Sequence, residues 1–245
     1  MSSTEPRITA MRAAPVAPRE ATVQAASQRA ASGRVSTRKP AAKRRVELIA
    51  AAEAIARADG LAAITMRAVA AMAGVAPTLV IHHVESMDHL VAETFERIVA
   101  AELAEITRFA ESVANSGARL EAVLDTVLDD RAPAETGPEN TGPGSTRDEV
   151  TLVWVEAWAL GRRNALLAAA VREQMDAWRA FFAALVQAGC DAGRYRVADP
   201  LAVAGQLLGM VDGLNAHSLV GWGGGVDRRS LMRRAAGAML GVAES

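Results

Sequence analysis

Thr78, His82 and His83 cluster behind Pro77, with Thr65 and Arg67 a short way upstream. Hydroxyl, imidazole and guanidinium groups in such a cluster offer donors and acceptors to base edges and phosphates, and a proline ring offers apolar contact to a thymine methyl. The neighbouring residues supply elements to hold them. Thr65 is a helix-start residue whose hydroxyl can accept from free first-turn N–H groups. Val69 and Met72 recur at helical spacing among small alanines. Gly74 stops that helix, because glycine enters the left-handed conformation without steric cost. Pro77 suits a first helical turn, and Leu79 and Val80 give the second helix its apolar face. Two helices joined by a glycine turn over residues 65–84 form a helix-turn-helix, whose second helix fits the major groove of DNA. The alternative at this point is an ordinary helical hairpin. His82, His83 and His89 do not suggest a metal, since adjacent helical residues point about 100° apart and no cysteine or carboxylate pattern completes a site. No metal and no cofactor are expected.

The 245 residues suffice for one large helical domain, or a small domain plus a larger one. A chain rich in Ala, Leu, Val and Arg and poor in aromatics favours helices. A net charge of −1 hides an asymmetry: residues 1–45 carry ten Lys/Arg against Glu5 and Glu20, giving +8, and the remainder is −9. A basic arm on an acidic body suits a partner that is an anion at one end only. The single cysteine, Cys190, allows no intrachain disulfide, so a reducing compartment, the cytoplasm, is expected. No apolar run is long enough to span a membrane. The arm lacks the apolar core of a secretory signal, though its Arg-rich, acid-poor character is also that of an organelle transit peptide.

Residues 1–40 are Ala/Ser/Pro/Arg-rich without an apolar period, so disorder is the default there. Lys43, Arg44 and Arg45 follow at the start of the first helix, placed either to meet phosphates or to form a solvated edge. That helix is expected over residues 41–58, with Val46, Ile49 and Ile55 inward, and Asp59-Gly60 closing it. Residues 41–86 then make a three-helix domain around the motif.

The run D-G, a short spacer, T-M-R-x-V-A-x-x-A-G-V, then L-V-x-H-H-V-x-S-x-D-x-L resembles the N-terminal domain of the TetR (tetracycline-repressor) family. It is carried by Asp59, Gly60, Thr65, Met66, Arg67, Val69, Ala70, Ala73, Gly74, Val75, Leu79, Val80, His82, His83, Val84, Ser86, Asp88 and Leu90. Val84 stands where the family usually has an aromatic, Ile81 where it often has a Tyr or His, and Met87 where it usually has a phosphate-contacting Lys. The resemblance implies an all-α protein: an N-terminal helix-turn-helix domain, then a helical ligand-binding and dimerisation domain over residues 87–245.

The periodicity beyond the motif is also helical. It predicts helices over 87–115 and 118–130, a loop over 131–147, and helices ending near Gly161, over 164–188, 201–220 and 227–240, with Gly189–Pro200 as a turn. Gly205, Gly209 and Gly213 fall at intervals of four on one helix, and Ala180, Ala184 and Ala188 on the helix before it. Such rows let backbones approach closely, either within one subunit or, as the resemblance implies, across a homodimer interface. Trp154, Trp158, Met175, Trp178, Phe182 and Met210 lie in helices that the resemblance implies line a pocket, with polar Glu156, Asn215 and His217 in the same segments. Plain core is the alternative for each. Glu156 and Asp212 stand out, since buried unpaired carboxylates are costly. Neither a G-x-S-x-G elbow nor a phosphate-cradling glycine loop is present, so no enzyme is expected. The expectation is a cytoplasmic, homodimeric repressor that binds a palindromic double-stranded DNA operator and answers to a small-molecule effector, without membrane contact. The rival is an all-α small-molecule-binding or scaffold protein with a degenerate helix-turn-helix.

Overall fold

A computed structural model describes residues 41–129, 147–223 and 227–242. The expectations for the arm up to residue 40, and for the loop apart from Arg147, lie outside the described residues. Those residues form nine α-helices and two 3-10 turns, with no strand among them. Three helices come first: α1 (Ala41–Asp59), and the short α2 (Met66–Met72) and α3 (Pro77–His83). The long α4 (Met87–Ser112) leads into the body, made of α5 (Arg119–Val127), α6 (Arg147–Gly161), α7 (Ala165–Asp191), α8 (Pro200–Ser218) and α9 (Arg228–Leu240).

Local chemistry sets most boundaries. Thr65, Ser86, Asn164, Asp199 and Asp227 each accept a first-turn N–H and start α2, α4, α7, α8 and α9. One core runs through the chain. Leu48, Ala52, Val69, Val80 and Phe95 are buried in its N-terminal part, and Ile106, Leu124, Phe182 and Leu207 in its body.

Four expectations are corrected. Val46 is 64% exposed and Met72 58% exposed. The inner face of α1 runs through Leu48, Ala52, Ile55 and Ala56 instead, and Met72 ends a helix of only seven residues whose buried side is Val69 and Ala70. Helix α4 stops at Ser112, because Val113 turns extended, and a separate 3-10 turn, Ser116–Ala118, precedes α5. Helix α7 does not stop at Gly189. It passes through that residue to Asp191, because Gly189 is where Tyr195 packs: a Cβ there would lie 2.1 Å from the ring. The turn is made by Gly193 at φ +72°.

Candidate nucleic-acid interface and internal cavity

Helices α2 and α3 are held locally. The Thr65 hydroxyl accepts the Ala68 N–H at 3.2 Å. Gly74, at φ +64°, turns the chain, and its neighbour Val75 donates its N–H to the Ala70 carbonyl at 2.9 Å. Helix α3 starts on Pro77 and buries one residue, Val80, while Pro77, Thr78, Ile81 and His82 are exposed and His83 is half-buried. Thr65 and Arg67 are exposed at the start of α2. The structure therefore brings Thr78, His82 and Arg67 to the surface of one small motif. Ile81, where the family often has Tyr or His, is 59% exposed on the same helix.

The basic residues of α1 divide. Lys43 is exposed. Arg44 pairs with Glu47 one turn on, at 2.7 Å. Arg45 reaches Glu93 on α4 at 2.7 Å and approaches the His83 carbonyl at 3.4 Å. Arg45 thus ties α1 to α3 and α4, because the folded chain brings an acid within its reach. Val84 and Met87 are half-buried against the core, so two of the three departures from the family pattern fill apolar space.

The second feature is a cavity between α4, α5, α6, α7 and α8. About 530 Å³ of space lies between these helices, part of it open solvent, and about 40 Å³ of it admits the centre of a water-sized sphere. Helix α6 contributes Arg147, Thr151, Trp154 and Trp158, α7 contributes Met175, Trp178 and Phe182, and α8 contributes Leu208, Val211, Asp212 and Asn215. The members of each set recur at spacings of three, four or seven, with Val211 and Asp212 adjacent on α8, so each is one face of its helix. Of the eight expected residues, six line the cavity. Met210 does not, because the inward row of α8 runs through 208, 211, 212 and 215. His217 does not either: it is exposed, with its ring 4.8 Å from that of Trp222.

The rings form two groups, one of Phe95, Trp154 and Trp158 and the other of Trp178, Phe181 and Phe182. Trp154 meets Phe95 edge-on at 5.1 Å and Trp158 at 5.9 Å, and Trp178 lies 6.2 Å from Phe182. Charge in the cavity is concentrated. Glu102, 4% exposed, pairs with Arg147. Asp212 is pushed up to about 6 from 3.8, first by burial and then by the like charge of Glu102. Asn215 is tied down, donating to the Val127 carbonyl at 3.0 Å and accepting from Arg228 at 3.3 Å. Arg147 Nε, Trp158 Nε1 and Trp178 Nε1 are buried without a hydrogen-bond partner among the described residues. Such donors each cost about 1–3 kcal/mol if left unmet. Sequence reasoning missed Glu102 and Arg147. The signal for Glu102 was an acid within the apolar row Ile98, Val99, Leu103, Ile106.

Residues 48–94 match the model of the bacterial regulatory proteins of the tetR family. Residues 116–240 match the model of the C-terminal domain of BetI-type transcriptional repressors. The chain belongs to the TetR family. It is a DNA-binding transcription regulator of the kind that family comprises. Solved structures share the TetR fold at low identity. A protein described as a TetR-family transcriptional regulator from Rhodococcus sp. has a TM-score of 0.63 and 22% identity, covering 81% of this chain and 99% of its own. A transcriptional regulator from Saccharomonospora viridis in complex with choline gives 0.65 and 17%, covering 82% and 96%. E. coli NemR in its reduced form gives 0.61 and 16%, covering 80% and 97%. No curated protein matches the sequence. No helix among the described residues is long and apolar enough to cross a membrane.

Proposed function

We propose that this chain is a repressor that binds a two-fold-related operator as a homodimer and releases it when an organic cation occupies the cavity between α6, α7 and α8. The observation that carries the effector class is the lining itself: three tryptophans and a phenylalanine beside the carboxylate of Asp212. The faces of aromatic rings attract cations, tryptophan most strongly, and a desolvated site strengthens the attraction to about 2 kcal/mol or more. Arg147 offsets the charge of Glu102, which leaves Asp212 as the carboxylate a cation would offset. The choline carried by the Saccharomonospora viridis protein belongs to the same chemical class.

Thr78, His82 and His83 would read bases or phosphates, with Pro77 on a thymine methyl, and Thr65, Arg67 and Lys43 on the flanking backbone. The outer face of α7 and α8 supports the dimer. Ala180 and Ala184 are exposed, and among the described residues nothing comes within 4 Å of a Cβ built at Gly209 or Gly213. Two interior glycines weaken a helix by roughly 1–2 kcal/mol against alanine. Close approach of a second α8 offsets that cost. A two-fold dimer would set two α3 helices at the spacing of two half-sites. An effector that prefers the state with poor DNA affinity must lower that affinity by the same factor that DNA lowers its own.

The test starts with an operator selected from random DNA by the full-length protein. A two-fold-symmetric footprint is expected, and choline or tetramethylammonium should lower DNA affinity at least tenfold. If both leave DNA binding unchanged while the footprint stands, the organic-cation reading is wrong. For the dimer, Gly209→Leu should shift sedimentation toward monomer, since overpacking a close crossing costs about 1–3 kcal/mol. A variant that stays dimeric with wild-type DNA affinity would place the interface elsewhere.

A further inference from the structure

Helix α6 has two working faces. Trp154 and Trp158 look into the cavity. Glu156 lies two residues from each, some 200° away around the helix, and so points to the other side. There it meets the reading head. The Glu156 carboxylate accepts the Ala62 N–H at 2.8 Å. Ala62 belongs to the 3-10 turn Leu61–Ala63, which leads straight through Thr65 into α2. The residue before that turn, Gly60, has no side chain to cap it. Free first-turn N–H groups need an acceptor. Glu156 supplies it from the body.

Gly60 is shaped for this contact. Its φ of +85° favours glycine, and a Cβ there would lie 2.4 Å from Glu156 Oε2. The backbone has come as close to the carboxylate as a glycine allows. The turn is not a loose surface feature either, since its first residue, Leu61, and the residue after it, Ile64, are buried. A shift of Glu156 is therefore transmitted into the packed core of the head. A second contact lies just beyond the end of α6, at the cap of α7. Asn164 donates to the Asp88 carbonyl at 3.0 Å, at the start of α4.

We propose that Glu156 is the positioning residue through which the cavity controls the reading head. With the cavity empty of effector, the carboxylate caps the Leu61–Ala63 turn and sets the angle of α2 and α3. A ligand wedged between Trp154, Trp158 and Trp178 tilts α6 and withdraws that cap. The coupling part of this rests on the effector reading given above; the contact part does not.

The experiment uses the full-length protein, its selected operator and tetramethylammonium as the probe. Amide exchange reads the contact without any ligand. Ala62 should exchange at least tenfold faster in Glu156→Ala than in wild type, with the amides of the α4 core unchanged. Equal exchange would overturn the proposal. The second arm reads coupling. Tetramethylammonium should weaken operator binding at least tenfold in wild type and less than twofold in Glu156→Ala, while its own affinity for the DNA-free variant stays within twofold. Glu156→Gln, whose amide oxygen still accepts the Ala62 N–H, should keep most of the response. A purely structural role would change cation uptake or global exchange instead, and a wild-type response in Glu156→Ala would overturn the proposal. If wild type takes up no tetramethylammonium, the effector reading fails and Leu208→Trp, which fills the cavity covalently, replaces the probe. The Leu208→Trp variant should then lose operator affinity tenfold in the wild-type background and less than twofold in Glu156→Ala. Equal losses in both backgrounds would overturn it.

Discussion

The helix-turn-helix between Thr65 and Val84 puts its polar side chains in water, whereas the cavity of the body buries its own. In the head, Thr78 and His82 are exposed. The motif is fixed by backbone devices: the Thr65 cap, Pro77 at the first turn and Gly74 at positive φ. In the body, Glu102, Arg147 and Asp212 sit among aromatic rings, and two tryptophan N–H groups lack partners there. Polar groups at the surface can be spent on a partner without cost to the fold. Buried ones couple the fold to whatever occupies the space beside them. The two regions should therefore fail in opposite ways when altered.

The largest expected effect tests this directly. Arg147→Met leaves Glu102 buried without its partner, and removing one member of a buried pair costs about 3–5 kcal/mol. Urea unfolding should show that loss, and Arg147→Met with Glu102→Leu should recover most of it. If Arg147→Met unfolds like wild type, the cavity is no more sensitive than the head.

The head should show the reverse. Thr78→Ala and His83→Ala should each weaken operator binding by about 1–3 kcal/mol for every base the helix ceases to read. Unfolding should move by no more than about 0.5 kcal/mol for Thr78, which is exposed. Wild-type operator affinity in both variants would mean that α3 is not the reader.

This contrast also explains what the sequence discloses. The head is one continuous stretch in which every device is local, so Thr65, Gly74, Pro77 and the exposure of Thr78 and His82 can be read from spacing. The outcome for Arg45 cannot, because its acceptor Glu93 lies 48 residues on and only the fold brings them together. The cavity is assembled from five helices. Periodicity assigns Trp154, Trp158, Trp178 and Phe182 to inward faces, but a shift of one position separates Met210, which misses the cavity, from Val211, which lines it. Glu156 looked like a pocket residue because it shares a helix with the tryptophans. Its true surroundings depend on where residues 60–62 cross α6.

A smaller effect concerns protons. Burial and the neighbouring Glu102 hold the Asp212 carboxyl at about 6. The folded chain thus binds this proton more tightly than the unfolded chain between about pH 4 and pH 6, so the group's contribution to stability falls as pH rises through that window. A cation prefers the ionised form. Cation uptake should strengthen with pH up to about 6 and level off above it, and weaken about tenfold per unit below. Asp212→Asn should flatten the profile and bind the cation weakly throughout. A wild-type titration that is flat from pH 5 to 8 would show that Asp212 does not meet the ligand.

The smallest effect is expected from the arm. Residues 1–38 carry six arginines against two acids, and none of the reading residues. Such groups meet DNA at its phosphates, which position a protein without carrying sequence information. Each phosphate neutralised adds about 0.9 to the slope of log affinity against log salt. Deleting residues 1–38 should therefore make that slope shallower by about 0.9 for each phosphate left unneutralised, while the selected operator sequence stays the same. The measurement is a DNA titration at several salt concentrations for the full-length and shortened chains. An unchanged slope would mean that the arm never reaches the phosphates, and that Lys43, Thr65 and Arg67 meet the DNA backbone without it. A changed sequence preference would mean instead that the arm enters a groove, and the division between a head that reads and an arm that only attracts would fail.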